Sequence, residues 1–82
     1  KNGVPDIWIP IPVPSYEGGG HFHFSPGAVF ELKVGKGKAS QDQLWWIDVL
    51  ANMGWYTKVC YGFEELKFET IEYLDLGKYG IR

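Results

Sequence analysis

An 82-residue chain that is 45% hydrophobic and 17% aromatic can build one small domain with a real core, marginal enough that a partner would help it. Eight Lys and Arg against ten Asp and Glu leave a formal charge of −2, which argues against a protein that coats nucleic acid through excess basic charge. There is no apolar run of about eighteen residues, and no basic segment leads into an apolar stretch with a cleavage site, so neither a membrane span nor a signal peptide is expected and the chain reads as soluble and intracellular.

Gly3-Val4-Pro5-Asp6 opens the chain with a carboxylate just ahead of Ile7–Val13, which is apolar at alternate positions. That alternation predicts a strand, and the prolines at 10, 12 and 14 remove ladder donors and give it an edge-like end. Ser15 to Gly20 is a turn by composition, and the stretch up to Pro26 reads as an extended hairpin. His21 and His23 share a face if that stretch is a strand. They offer a two-histidine metal site or a phosphate contact, but no third ligand lies nearby, so a polar hairpin face backed by Phe22 and Phe24 is the plainer reading.

A second extended segment is predicted from Ala28 to Val34, with Phe30 and Leu32 on one face and Glu31 and Lys33 on the other. Lys33, Lys36 and Lys38 fall close together, the last two in a glycine-bearing loop that could touch a DNA backbone or simply be solvated. The loop is not a phosphate-binding P-loop, because its glycine spacing fails and Ala39 stands where serine or threonine is required. Much of the acid lies instead between Glu64 and Asp75, which predicts one positive and one negative face.

Ser40 with Gln43 forms a capping box and Gly54 a stop, so a helix is predicted over about Gln41 to Met53. Its apolar surface wraps beyond one stripe, which predicts that Trp45 or Trp46 packs on a second protomer or on an N-terminal helix. Tyr56–Tyr61 then reads as a strand parallel to the Glu31 strand, with the helix as crossover. The single cysteine, Cys60, excludes an internal disulfide and reads as a small buried hydrophobe. A second helix is predicted from Phe63 to about Asp75, with Glu64 and Glu65 in its first turn and Leu66, Thr70, Ile71 and Leu74 facing inward. Phe68–Leu76 has enough β-branched and aromatic content to be extended instead.

Asp6, Glu31 and Lys33 are the chemistry-bearing set. Two converging carboxylates can hold Mg2+ or Mn2+, which keep several waters, and a lysine beside them can neutralise charge developing on a phosphate. The competing readings are a turn-forming aspartate after proline and an exposed strand pair. No serine sits in a strand-turn-helix elbow and the thiol reads as buried, so no nucleophilic triad is present.

Four blocks in order decide between these readings: Gly3-Val4-Pro5-Asp6, Glu31-Leu32-Lys33-Val34-Gly35-Lys36-Gly37-Lys38, Ser40 with Gln43 and Trp46, and Val59-Cys60-Tyr61-Gly62. Together they resemble the VRR-NUC family of the PD-(D/E)XK nuclease superfamily, from Gly3 to about Leu74. The resemblance implies a single α/β domain over residues 1–82 with a restriction-endonuclease-like core, a mixed central sheet flanked by helices. Family members carry a helix with an acidic residue and a strand ahead of the Gly-Val-Pro-Asp block. This chain starts at Lys1, so the resemblance implies a core lacking both.

Carried over by position, the resemblance implies that Asp6, Glu31 and the carbonyl of Leu32 hold Mg2+ or Mn2+, that Lys33 faces the scissile phosphate and that Gln43 stands close to the active site; Lys36 and Lys38, read from their own loop, are the candidate DNA-binding residues. The implied activity is metal-assisted hydrolysis of DNA to 5′-phosphate and 3′-hydroxyl ends. Stand-alone members are phage and bacterial homodimers that cut four-way junctions, so branched DNA is the implied substrate and a bacterial or phage-infected cytoplasm the implied compartment. The alternatives are a non-catalytic DNA- or protein-binding module with the nuclease fold, or an inactive fragment of a longer nuclease.

Overall fold

Seven elements follow one another: β1 (Ile7–Ile9), β2 (Val13–Glu17), β3 (His21–Ser25), β4 (Ala28–Lys33), α1 (Gln41–Asn52), β5 (Tyr56–Tyr61) and α2 (Phe63–Gly80). This computed structural model describes the backbone of residues 3–17 and 21–80, and their side chains except those of 15–17, 21–23 and 76–80. β4 is central in a three-stranded mixed sheet ordered β1-β4-β5, antiparallel to β1 and parallel to β5. β2 and β3 pair antiparallel as a separate hairpin. Among the described residues no helix is long and apolar enough to cross a membrane.

The expected single strand over Ile7–Val13 is broken in two. Pro10 and Pro12 cannot donate to a ladder, and the chain closes a tight turn there, the Ile11 N–H donating to the Ile9 carbonyl at 2.8 Å. β1 therefore pairs with β4 over three residues only, Ile7 opposite Phe30 and Ile9 opposite Ala28, and the chain re-enters a strand at Val13.

Each face of β4 buries a different partner. Ala28 and Phe30 are fully buried with Val13, Cys60 and Tyr73, and Ile7, Ile9, Leu32, Tyr56 and Leu66 pack around them. This core lies between the sheet and α2, and Val13 brings the hairpin into it. Cys60 sits here as expected, and burial, then the charges of Glu69 and Glu65, push its thiol up. Val29 and Glu31 point to the opposite face, where α1 crosses from β4 to β5 and Leu50 is buried.

α1 begins and ends where its local signals place it. The Ser40 hydroxyl accepts from the Gln43 N–H at 3.1 Å, the Gln43 side chain accepts from the Ser40 N–H at 2.8 Å, and Gly54 follows the C-cap with φ +94°. α2 is helical through Gly80, beyond the expected end and across the stretch with extended character. Its inward face also differs from expectation. Tyr73 is fully buried, whereas Ile71 and Leu74 are 49% and 43% exposed. The Tyr73 ring lies 5.3 Å from that of Tyr56, and its hydroxyl donates to the Ile11 carbonyl at 2.6 Å. That bond satisfies a carbonyl freed by the broken strand, which is why the tyrosine rather than the aliphatic pair turns inward.

Candidate active site

Asp6, Glu31 with Lys33, and Gln43, from three separate stretches of the chain, meet at one end of β4. Gly3 makes the approach possible. It has φ +84°, and a Cβ there would stand 2.8 Å from backbone atoms of Asp42 and Gln43, so the chain runs directly against the first turn of α1. The Trp8 indole N–H then donates to the Pro5 carbonyl at 2.9 Å and closes the turn that carries Asp6, while its ring packs edge-on against Trp55. Trp8 is a residue that the motif alone does not single out, and its only sequence signal is a tryptophan just after the turn.

Asp6 precedes the first β1–β4 pair, and its Oδ2 accepts from the Leu32 N–H at 3.3 Å in place of a strand carbonyl. A strand residue points its N–H and C=O toward the same neighbour, so the Leu32 carbonyl lies on the Asp6 side of β4. The Lys33 carbonyl points the other way and accepts from the Gly62 N–H at 2.8 Å beyond β5.

Glu31 is 1% exposed, although it is charged and one residue from the end of the apolar core. Its Oε2 accepts from Gln43 Nε2 at 3.0 Å and faces Lys33 Nζ at 3.5 Å. Burial pushes its carboxyl up from the ordinary range. A hydrogen bond with Asp6 and the Asp6 charge push the same way, and Lys33 opposes them. A hydrogen bond between two acids needs a proton on one of them. With both ionised, Glu31 Oε1 is buried without a donor among the described residues.

An oxygen so placed is satisfied by a proton or by a cation, and a divalent ion suits two carboxylates and a neighbouring carbonyl. The donor set is all oxygen, which fits Mg2+ or Mn2+ rather than a softer ion. Among the described residues no group of three or more His, Cys, Asp and Glu is placed to hold a metal, so Asp6, Glu31 and the Leu32 carbonyl would leave most positions to water. The side chains of His21 and His23 lie outside the described residues.

Gln43 serves two structures at once, with one side-chain end on the helix cap and the other on Glu31. It is thus a positioning residue, holding Glu31 against the start of α1. Gln43→Glu is expected to keep an acceptor for the Ser40 N–H while placing a third carboxylate beside Asp6 and Glu31. Thermal unfolding should show it less stable than wild type at pH 7, with much of the deficit recovered at pH 5. Gln43→Ala should lose about 1 kcal/mol with little pH dependence in the deficit.

Lys36 and Lys38 lie in the exposed turn after β4, where Gly35 has φ +63° and the Gly37 N–H donates to the Val34 carbonyl at 3.2 Å. They flank Lys33 rather than join the carboxylates. Three lysines thus stand at this end of β4, but Glu64 and Glu65 open α2 directly after Gly62 at the same end, so the expected division into one positive and one negative face is not clean. Comparison of the chain with protein-family models, with curated proteins and with solved structures gave no match.

Proposed function

We propose that this chain is a Mg2+- or Mn2+-dependent DNA endonuclease of the restriction-endonuclease-like class, acting on branched DNA as a homodimer. The observation that carries the reading is the buried Glu31 carboxylate, whose Oε2 is held by Gln43 and Lys33 while its Oε1, beside Asp6, has no hydrogen-bond partner among the described residues. A carboxylate held this way is costly to a protein that has no use for it.

Asp6, Glu31 and the Leu32 carbonyl would hold the ion. When bound, it supplies Lewis-acid polarisation of the phosphate and a water of lowered pKa. Gln43 keeps Glu31 in one rotamer, so that an oxygen is presented without reorganisation. The Lys33 ammonium, fixed at 3.5 Å from Glu31, offers positive charge to the phosphate oxygens as they gain charge in the transition state. Hydrolysis joins the water oxygen to phosphorus and breaks the bond to the 3′ oxygen, which leaves as a hydroxyl after taking up a proton. Lys36 and Lys38 would grip flanking phosphates, which makes binding salt-dependent.

The test is cleavage of a labelled four-way junction beside matched linear duplex, in Mg2+, Mn2+ or EDTA, with Glu31→Ala and Lys33→Ala as controls. Symmetric metal-dependent cuts in the junction, lost in both variants, are the expected result. Tight binding without cleavage in either metal would make the chain a binding module instead, and equal cutting of linear duplex would remove the branched substrate.

A further inference from the structure

The outward face of α2 is apolar along its middle and has nothing packed on it among the described residues. Phe68, Ile71 and Leu74 are 59%, 49% and 43% exposed, and Glu64, Lys67, Phe68 and Ile71 line a shallow depression of about 200 Å³. Helical spacing puts Ile71 at the centre of this face, opposite the buried Tyr73, with Lys67 and Asp75 one turn away on either side.

We infer that this face docks a second copy of the chain, α2 against α2, antiparallel about a two-fold axis through Ile71. In such a pair, residues the same number of steps before and after Ile71 face each other. Phe68, three before, meets Leu74 of the second copy, three after. Lys67, four before, meets Asp75 of the second copy, four after. Every contact is made twice, and the apolar centre is closed by one opposite-charge pair at each end. A parallel pairing would instead set Lys67 against Lys67.

α1 carries the other exposed apolar face, with Leu44 and Trp45 50% and 46% exposed, but its charged residues are Asp42 and Asp48 with no lysine or arginine. Self-pairing through α1 brings only like charge together. The choice of α2 thus comes from charge complementarity, and affinity comes from the apolar centre, since exposed ion pairs add little and mainly select orientation. The inference specifies the dimer of the reading above and does not depend on its chemistry. Because α2 lies behind the sheet, the pairing would leave the Asp6–Glu31 end of each copy uncovered.

Light scattering after gel filtration, at high micromolar concentration, tests this without any nucleic acid. The wild-type chain is expected to run at twice its 9.3 kDa mass and Ile71→Glu at the single mass with unchanged far-UV circular dichroism. Lys67→Asp, which sets Asp against Asp at both ends, should weaken association about tenfold, roughly 1.4 kcal/mol, and Asp75→Lys added to it should restore the loss. A single-mass wild type, or a dimer indifferent to Ile71→Glu, would overturn the interface. A charge exchange that restores nothing would overturn the antiparallel register. Cleavage is not read, so its failure leaves this result intact and the converse holds too.

Discussion

Glu31→Gln is expected to abolish cleavage and, in metal-free buffer at pH 7, to raise the melting temperature. Both effects come from one arrangement. The Glu31 carboxyl is raised by burial first and then by Asp6, so the folded chain binds its proton more tightly than the unfolded chain does. Stability from this group is fully present below its unfolded value and is lost as pH rises through the raised folded value, because the unfolded state then carries the charge at lower cost. Ionising Glu31 therefore costs the folded chain more than it costs the unfolded one. Glutamine keeps the shape and removes the charge, and an acceptor remains for Gln43 Nε2. The gain should be about 1 kcal/mol, the ordinary yield of relieving a functional site, or roughly 4–8 °C for a domain of this size. The loss in rate should be on the order of a thousandfold, about 4 kcal/mol of barrier. Mn2+ should raise the wild-type melting temperature at pH 7, less so at pH 5 where protons compete, and should leave Glu31→Gln unmoved. A variant that melts below wild type in EDTA would show that Glu31 is a structural ion-pair residue.

Phe30→Ala, one step along the same strand, is expected to do the reverse and strongly destabilise the domain. Phe30 is fully buried in the cluster of Val13, Ala28, Cys60 and Tyr73, and its ring meets that of Tyr56 edge-on at 6.3 Å. Truncating a core phenylalanine costs about 3–5 kcal/mol, from lost transfer energy and the cavity left behind. At the usual 0.05–0.15 kcal/mol per residue, a chain of this length has roughly 4–12 kcal/mol in all. That is a large share of the reserve. Near-UV circular dichroism and thermal unfolding should show a melting temperature lower by roughly 15–30 °C, and a drop of only a few degrees would mean that the α2 side is not the main core. Adjacent residues with opposite effects express the alternation of β4 between a face that needs bulk and a face that holds charge.

The candidate site residues were legible as a pattern, and their mutual geometry was not. Glu31 and Lys33 share a side because the pleat repeats every two residues, and the chain shows this without tertiary help. That Gln43 grips Glu31, twelve residues away, and that Asp6 takes the Leu32 N–H, twenty-six residues away, depends on how three elements converge. Gly3 could be read as a turn glycine, but its close approach to the backbone of Asp42 is a contact between distant segments. Glu31 looks like a half-exposed strand residue until α1 is laid over it.

Local interactions account for what the sequence by itself determined. The Ser40–Gln43 box and Gly54 bound α1 through bonds spanning a few residues, the period of two set the faces of β4, and the helix crossover made β5 parallel to it. The tertiary structure decided what local terms leave degenerate. α2 has Leu66, Phe68, Ile71, Tyr73 and Leu74 spread around it, so no stripe dictates its rotation, and the bond from Tyr73 to the freed Ile11 carbonyl, sixty-two residues back, selects one. The break in Ile7–Val13 has the same character. Alternation favoured a continuous strand, but prolines without N–H groups could not pair, and the chain leaves β4 for the hairpin that helps close the core over Phe30.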